Sequence, residues 1–309
     1  MRVIFMGSGD IALLSLHWLI KSPDCDVIAV VTQPDKPAGR HQLLTSSPIK
    51  QAALAAAVPV LQPVKVRESE VLQALAALEP DYIIVMAYGQ ILPKTLLDLP
   101  KIACLNLHAS LLPRHRGASP IQSAILAGDS ATGITLMHMD VGLDTGDIII
   151  QKAIPMSPTE TAGTLHDRLA ELGPKVLELG LSLFKTNSAP RTTQAPTLVT
   201  VSVKLDRDSG HVDWTQPAQQ LDRHIRAMHP WPGSFTLLPN HKKLKIHAAE
   251  ICFASGPAGE ILPSTADELL VAAGTLSLRL TEVQIEGRSR MPAADFLRGN
   301  PLQPGAHLA

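Results

Sequence analysis

The segment RVIFMGSGDIA, Arg2–Ala12, is the part of the sequence that decides the fold. A short apolar run leads directly into Gly-x-Gly-x-x-Ala at Gly7–Ala12, a pattern typical of a buried strand that turns sharply into a helix. Glycines at such a turn let the backbone approach a pyrophosphate at the helix N-terminus, so the motif is compatible with dinucleotide binding. The same glycines also serve a tight turn with no ligand, and the motif alone leaves both interpretations open.

Similar apolar runs recur along the first half of the chain and alternate with helical segments. This alternation predicts βαβ units, and therefore an α/β, Rossmann-like domain with a parallel sheet covered on both faces. The predicted strands of this series are Val3–Met6, Val27–Thr32, Tyr82–Met86 and Ile102–Leu107, and the predicted helices are Ile11–Ile20, Ile49–Ala57 and Ser69–Leu78. After Gly133 the pattern changes to two strands, Ile134–Met139 and Asp147–Ala153, joined by a short Gly- and Asp-rich connection and followed by a long helix, Gly163–Lys185.

The chain has 309 residues, about twice the length of a usual domain, so two cores are expected. The segment Thr186–Thr200 is rich in Pro, Thr and Ser without periodicity, which is typical of a linker between domains. We therefore predict domains at residues 1–189 and 206–309, joined by a linker at 190–205. The second domain is predicted to be a small β-barrel from the β-like segments Leu244–Phe253, Leu269–Ala272 and Ser277–Val283 and a helix near Ala218–Met228.

Composition narrows the class of protein. Hydrophobic residues make up 45% of the chain and charged residues 18%, which is typical of a folded protein. Too few apolar residues precede Gly7 for a signal peptide, no apolar run reaches the ~18 residues of a membrane span, and three isolated cysteines fit a reducing compartment. We expect a cytoplasmic monomer without a membrane segment. A net charge of −1 means that any nucleic-acid partner must meet a local basic patch.

The densest polar stretch is NLHASLLPRHRGASPIQ, Asn106–Gln122. Asn106 and His108 are two residues apart at the end of a predicted strand, so both side chains lie on one side of the sheet. They lie at the edge where open α/β sheets bind ligands. An amide and an imidazole suit stabilisation of a carbonyl oxygen that becomes negative during acyl transfer. A structural role for His108 is the alternative.

A second candidate is the loop MDVGLDTGD, in which Asp140, Asp144 and Asp147 stand among two glycines that let the backbone fold close to a ligand. The alternative is a hairpin turn with solvated aspartates. No Asp-x-Asp-x-Asp-Gly series with a distal Glu is present, and no Cys-x-x-Cys pair occurs, so we expect no metal site.

Seven separated motifs together carry a family resemblance. NLHASLLPRHRG at Asn106–Gly117, GDSATGITLMHMDVGLDTGD at Gly128–Asp147 and AYGQILP at Ala87–Pro93 resemble the signature of the 10-formyltetrahydrofolate-dependent formyltransferases. The other four resemble the members of that family that formylate methionyl initiator tRNA. They are VTQPDKPAGR at Val31–Arg40, GHVDW at Gly210–Trp214, IRAMHPWPGSF at Ile225–Phe235 and LRLTEVQIEGRSRMPAADFLRG at Leu278–Gly299.

The resemblance implies a fold, a reaction and a set of residues. The first domain would be Rossmann-like without using NAD, the second an OB-like barrel, and GSGDIA a tight turn. Asn106, His108 and Asp144 would be catalytic, with 10-formyltetrahydrofolate as co-substrate and methionyl initiator tRNA as acceptor. The folate would contact three backbone segments, namely Tyr88, Gly89, Gln90 and Ile91; Ser110, Leu111, Leu112 and Pro113; and Asp140, Val141, Gly142 and Leu143.

Contacts to tRNA must come from local charge, because residues 190–309 contain twelve Lys and Arg against eleven Asp and Glu. OB-like barrels commonly present a nucleic-acid surface. The predicted tRNA contacts are Arg40, Lys242, Lys243, Lys245, Arg288 and Arg290. The alternative for HKKLK, His241–Lys245, is a solvated hairpin edge. The loop after Arg40 contains fewer lysines than is usual in the family.

Two other classes of function compete with this one. A folate-dependent formyltransferase acting on a small amine would share the catalytic motifs, although the HPWPGSF and MPAADFLRG motifs argue against it. A non-catalytic nucleotide-binding or RNA-binding protein on a Rossmann scaffold would bind NADH and not folate.

Overall fold

The computed structural model describes residues 1–38 and 43–309, without the side chains of Ala38 and Leu43. By contacts between residues, the chain divides into two compact units. The N-terminal unit comprises residues 1–120, 131–155 and 166–202, and the C-terminal unit comprises residues 121–130, 156–165 and 203–309. The segment predicted as a linker therefore clusters with the N-terminal unit as far as Ser202.

The N-terminal unit is built on a seven-stranded sheet. Its helices are α1 Leu13–Lys21, α2 Pro48–Ala55, α3 Ser69–Ala76 and α4 Lys94–Leu97, followed by α5 Pro120–Ala127 and α6 Ala162–Lys185, which run across the unit boundaries. Its strands are β1 Arg2–Gly7, β2 Asp26–Val31, β3 Lys36–Ala38, β4 Leu43–Thr45, β5 Val60–Leu61, β6 Tyr82–Met86, β7 Ala103–His108, β8 Arg116–Gly117, β9 Ala131–His138, β10 Ile148–Pro155 and β11 Val201–Ser202.

The strand order of the large sheet is β10-β9-β7-β6-β1-β2-β5. The five strands from β7 to β5 are parallel, which confirms the Rossmann-like prediction, whereas the hairpin β9–β10 joins β7 in the antiparallel direction. Every residue of β6 and β7 is buried, so both faces of the sheet are covered there. The continuous apolar runs in the sequence reflect this two-sided burial.

The C-terminal unit is an antiparallel sheet with two helices. Its strand order is β12-β13-β15-β14, with β16 paired to β15. The elements are β12 Ser234–Leu237, β13 Lys243–Cys252, β14 Leu269–Ala272, β15 Ser277–Ile285 and β16 Met291–Pro292, with α7 Ala218–Ala227 and α8 Ala293–Gly299.

Two irregular segments complete the barrel of the C-terminal unit. Residues 259–262 bond to β14, through Gly259 N to Ala272 O at 2.9 Å. Residues 305–309 bond to that segment, through Leu308 N to Gly259 O at 2.9 Å, and also to β12, through Ala309 N to Leu237 O at 3.0 Å. The hydrogen bonds thus run around a closed ring, as the predicted OB-like barrel requires.

Leu308 provides a stability test of this closure. Its side chain is 4% exposed and belongs to the core of the C-terminal unit. We expect Leu308→Ala to lower the free energy of unfolding by about 2–5 kcal/mol, because it leaves a cavity where the ring closes. Calorimetry measures the loss. Phe253→Ala is the control, since Phe253 is 91% exposed and its replacement should cost less than about 0.5 kcal/mol. Equal losses of unfolding free energy in both variants would contradict the role of Leu308 in closing the barrel.

Candidate active site

Asn106 and His108 end strand β7, between β6 and β9. Asn106 pairs with Val85 of β6, and His108 pairs with Thr135 of β9. Both side chains are buried, with 9% and 6% of each residue exposed. The alternation of side chains along the strand places them on the same face. The pair predicted from sequence spacing therefore lies at the carboxyl edge of the parallel strands.

His108 lies between two oxygen acceptors. Its Nε2 is 2.9 Å from the carbonyl oxygen of His115, and its Nδ1 is 3.6 Å from Oδ2 of Asp144. A carbonyl can only accept, so Nε2 carries the hydrogen in that contact. A protonated ring could donate towards both oxygens, whereas a neutral ring could donate towards only one. The structure thus brings Asp144 to His108 from a loop 36 residues further along the chain.

Asp144 is held from several directions. Its Oδ2 accepts from the backbone N–H of Gly117 at 2.8 Å, and its backbone carbonyl accepts from Nε2 of Gln194 at 2.8 Å. The backbone of Asp144 has φ +53°, in the left-handed region that few residues other than glycine adopt. An aspartate tolerates this conformation better than most residues, and the two contacts fix it.

Gln194 was not identified from the sequence. It lies in the Pro- and Thr-rich segment predicted as a linker, yet it is only 5% exposed. The segment pairs with the start of β10, through Ile148 N to Thr192 O at 2.8 Å and Thr192 N to Ile148 O at 3.0 Å. Nothing local in the sequence marks one amide in such a stretch as buried.

The predicted folate residues divide into buried and exposed groups. Tyr88 is buried, which raises the pKa of its phenol to about 12, and its hydroxyl has no hydrogen-bond partner among the described residues. The side chain of Gln90 accepts from Val66 N at 2.9 Å, and the hydroxyl of Ser110 donates to Arg114 O at 2.7 Å. The side chains of Gln90 and Ser110 are therefore engaged within the protein, whereas the Tyr88 hydroxyl is buried without a described partner.

The exposed members of the same set are mostly apolar. Ile91, Val141 and Leu143 are 88%, 65% and 62% exposed. Ile91 follows strand β6 at the edge of the sheet where Asn106 and His108 lie, and Val141 and Leu143 belong to the loop that brings Asp144 to His108. Next to this edge, residues 111–114 and 197–200 line a cavity of about 330 Å³.

The glycine-rich turn at Gly7–Ala12 is occupied by the protein itself. The backbone N–H groups of Ser8 and Gly9 both donate to the carbonyl of Ala87, at 3.2 Å each. A Cβ at Gly7 would lie 2.8 Å from the ring of Phe5, so the turn needs glycine for packing. Neither N–H is left to bind a pyrophosphate, which favours the tight-turn interpretation.

Asp35 is an acidic residue about twenty-five positions after Gly9, of the kind that contacts the ribose in nicotinamide sites, and it is also engaged. Its carboxylate accepts from Lys50 Nζ at 2.6 Å and from Gln62 Nε2 at 2.8 Å. These hydrogen bonds, that of Lys50 first, lower the pKa of Asp35. Both parts of the dinucleotide motif therefore serve internal contacts.

The predicted tRNA contacts are distributed unevenly. Arg40 lies outside the described residues. Lys243 and Lys245 project from one face of β13, whose other face carries the buried Leu244 and Ile246. Lys243 Nζ lies 3.6 Å from the centre of the Phe235 ring.

The remaining basic residues lie close to carboxylates. Arg290 forms a two-pronged ion pair with Glu282, which offsets its charge. Lys242 and Arg288 line a cavity of about 460 Å³ together with Glu286 and Asp295. Lys243 and Lys245 of β13 are thus better placed to bind a phosphate than Arg290, whose charge is offset by Glu282.

Within the described parts of the chain, no three His, Cys, Asp or Glu side chains come together as metal ligands do. The helices formed by those residues include none whose length and apolar character would suffice to span a membrane.

Comparison with known proteins shows to which class of enzyme this chain belongs. Residues 1–180 match the family model described as formyl transferase, and residues 204–301 match the one described as formyl transferase, C-terminal domain. A solved sugar 3N-formyl transferase, WlaRD, in the presence of dTDP and 5-N-formyl-THF, has a similar fold. Its TM-score is 0.69 at 17% identity, over 94% of this chain and 99% of that one.

Two curated relatives narrow the class further. The methionyl-tRNA formyltransferase of Geobacter sulfurreducens is 44% identical, over 100% of this chain and 96% of its own length. That of Gluconobacter oxydans is 46% identical over the whole of both chains. The chain therefore belongs to the formyl transferase family and, within it, to the methionyl-tRNA formyltransferases.

Proposed function

We propose that the protein transfers the formyl group of 10-formyltetrahydrofolate to the α-amino group of methionyl initiator tRNA, for translation initiation. The observation that carries the proposal is the approach of Asp144 to His108, which lies two residues from Asn106 on the same face of β7. The acceptor rests on identity of 44% and more to methionyl-tRNA formyltransferases over the full chain. The sugar formyltransferase has the same fold, so the fold alone does not select the acceptor.

The chemistry follows from the three side chains. The neutral α-amine of methionine attacks the formyl carbon, a new C–N bond forms, and the carbonyl oxygen becomes an oxyanion. The Asn106 amide and the His108 imidazole donate to that oxygen. Asp144 holds the imidazole and conveys the proton from the amine to N10 of the folate, through water, as the bond to N10 breaks.

When Nε2 of His108 donates to the oxyanion, it loses one hydrogen bond and forms another, so the number of hydrogen bonds does not change. Nε2 presently donates to the His115 carbonyl, and the oxyanion takes the place of that oxygen. A negatively charged acceptor makes a stronger hydrogen bond than a neutral carbonyl, so the exchange favours the tetrahedral state over the ground state.

The folate is held mainly by backbone groups and apolar side chains. The exposed Ile91, Val141 and Leu143 offer apolar contacts to the pterin ring. The backbone of Ser110–Pro113 is proposed to add polar contacts, because a carbonyl that already accepts one hydrogen bond can accept a second. The buried Tyr88 and the side chain of Gln90, which accepts from Val66 N, shape these loops. Selection of the ring therefore depends on loop shape.

A direct assay tests the proposal. The full chain is incubated with 10-formyltetrahydrofolate and charged initiator tRNA, and formyl-methionine is detected by mass spectrometry. Parallel reactions offer a glycinamide ribonucleotide or a sugar-nucleotide amine. We expect formylation of the aminoacyl-tRNA with the highest kcat/KM. Preferential formylation of a small amine, or binding of NADH without folate, would contradict the proposal.

We further propose that Lys242, Lys243 and Lys245 of the C-terminal unit hold the tRNA. Neutralising Lys242, Lys243 and Lys245 to glutamine should weaken tRNA binding and reduce its salt dependence by up to about three phosphate equivalents, because each phosphate contact releases counterions. Filter binding at several salt concentrations measures the slope.

The control variant removes three positive charges from the N-terminal unit instead. Lys94, Lys101 and Lys185 form exposed ion pairs in the N-terminal unit, and their triple glutamine variant should leave the slope unchanged. An unchanged slope in the first variant would make HKKLK a solvated hairpin edge. The contacts would then have to come from Arg40, Arg223, Arg226, Arg288 and Arg290.

The same proposal places the enzyme in the cytoplasm, where initiator tRNA is charged, and assigns it a monomeric state. It includes no metal. Size-exclusion chromatography with light scattering tests the oligomeric state.

A further inference from the structure

We propose that Gln194 is a positioning residue for formyl transfer, which sets the conformation of the Asp144 loop and thereby the contact between Asp144 and His108. The inference rests on the proposed function of these two residues. Gln194 itself is buried among protein groups and contacts no substrate in the reaction described above.

The amide of Gln194 uses its full hydrogen-bonding capacity. Its Nε2 donates to the carbonyls of Asp144 and Gly146, both at 2.8 Å. Its Oε1 accepts from Nε and Nη2 of Arg116, at 3.0 and 2.8 Å. A primary amide has two donor hydrogens and two acceptor lone pairs, and all four are engaged here. One side chain therefore ties two loops together.

Each of these loops contacts one ring nitrogen of His108. The loop of Arg116 supplies the His115 carbonyl to Nε2, and the loop of Asp144 supplies the carboxylate to Nδ1. The two loops also meet directly, through the N–H of Gly117 and Oδ2 of Asp144 at 2.8 Å. A shift of either loop would change the distances at both nitrogens of the imidazole.

The backbone of Asp144 needs such support. Its φ of +53° is unfavourable for a residue with a side chain, and such conformations persist where surrounding contacts over-determine them. The carbonyls on either side of Thr145 are both fixed by Nε2 of Gln194. Loss of this donor frees the loop to relax away from the left-handed conformation.

The segment that carries Gln194 is itself anchored. Thr192 pairs with Ile148, and Arg191 and Thr193 contact the carboxylate of Asp147, at 3.2 Å each. The backbone pairing of Thr192 with Ile148 sets the register that brings Gln194 under the loop. The side chains of Arg191 and Thr193 touch Asp147 and not Asp144, so they provide a control within the same segment.

Two substitutions in the full chain test the role. Gln194→Met keeps the length and removes all four hydrogen bonds. Gln194→Glu retains an acceptor for Arg116 but replaces the donor with a carboxylate that faces two carbonyls. We expect both to lower kcat with methionyl initiator tRNA by about 10–100-fold, as loss of a supporting partner does in other sites. KM for the tRNA should change by less than about threefold, and Arg191→Met should leave kcat within about twofold.

A double-mutant cycle separates positioning from general structural support. If Gln194 acts through Asp144, then Gln194→Met should reduce kcat by less than about threefold in an Asp144→Ala background, because the group it positions is already absent. The same 10–100-fold loss in both backgrounds would overturn the inference. So would a normal kcat per folded molecule combined with a lower Tm, or failure of both Gln194 variants to fold. Failure of the proposed function is distinguishable, because the unmodified chain would then not formylate methionyl-tRNA.

Discussion

Replacing His108 with alanine is expected to lower kcat for formyl transfer by about 10²–10⁴-fold while the Tm stays within a few degrees. The side chain lies within reach of both Asp144 and the His115 carbonyl. Loss of an oxyanion donor and of a proton-transfer partner accounts for a factor of this size. Steady-state kinetics with charged initiator tRNA measure it, and circular dichroism follows the fold.

The control for His108 is another histidine of the N-terminal unit. His166 also contacts carboxylates, with Nε2 3.1 Å from Asp10, but it lies on α6 and pairs with Asp10 and Asp167 instead of Asp144. His166→Ala should retain kcat within about twofold. Asn106→Ala and Asp144→Ala should fall in the same range as His108→Ala. Near-normal turnover of the His108 variant would contradict the catalytic assignment.

Replacing Gly117 with alanine is expected to lower kcat by on the order of 10²-fold, through geometry alone. Gly117 has φ +113°, and a Cβ there would lie 2.5 Å from the backbone oxygen of Ser202. Relief of this overlap must move the N–H that now donates to Oδ2 of Asp144. The variant is also expected to be less stable by about 1–3 kcal/mol, since alanine does not favour this conformation.

Gly299 is the control for this prediction, because its replacement shows whether an added methyl group by itself changes kcat. No atom lies within 4 Å of a Cβ built at Gly299, and its φ is not in the left-handed region. Gly299→Ala should therefore leave kcat unchanged. Normal turnover of Gly117→Ala, measured per folded molecule, would show that the N–H of Gly117 does not position Asp144.

Much of the fold follows from local pattern. The predicted strand Tyr82–Met86 is confirmed at both ends, and the predicted helix at Ala218–Met228 differs from α7 by one residue. Strands buried on both faces give continuous apolar runs, and helices give a 3.6-residue period, so both leave a signal in neighbouring residues. Hydrogen bonds that close the barrel through residues 259–262 and 305–309 leave no such signal, because the segments are too irregular to alternate.

The candidate site divides in the same way. Asn106 and His108 could be placed together from the sequence, because a two-residue spacing on one strand fixes their common face. The partnership of Asp144 with His108 came from family resemblance, since the order of residues does not say which loop returns to a given strand end. The structure gives the distance, 3.6 Å, and the left-handed backbone that produces it.

The sequence by itself determined the apolar strands, the tight turn at Gly7–Ala12, the strand-end pair of Asn106 and His108, and the family. Only the tertiary structure decided that the hairpin β9–β10 runs antiparallel to its neighbour and that Gln194 is buried beneath the Asp144 loop. The physical reason is the separation along the chain over which each interaction acts. Burial and turn preferences act between near neighbours in the chain, whereas the four hydrogen bonds of Gln194 join segments 48–78 residues apart, and only the folded backbone brings those together.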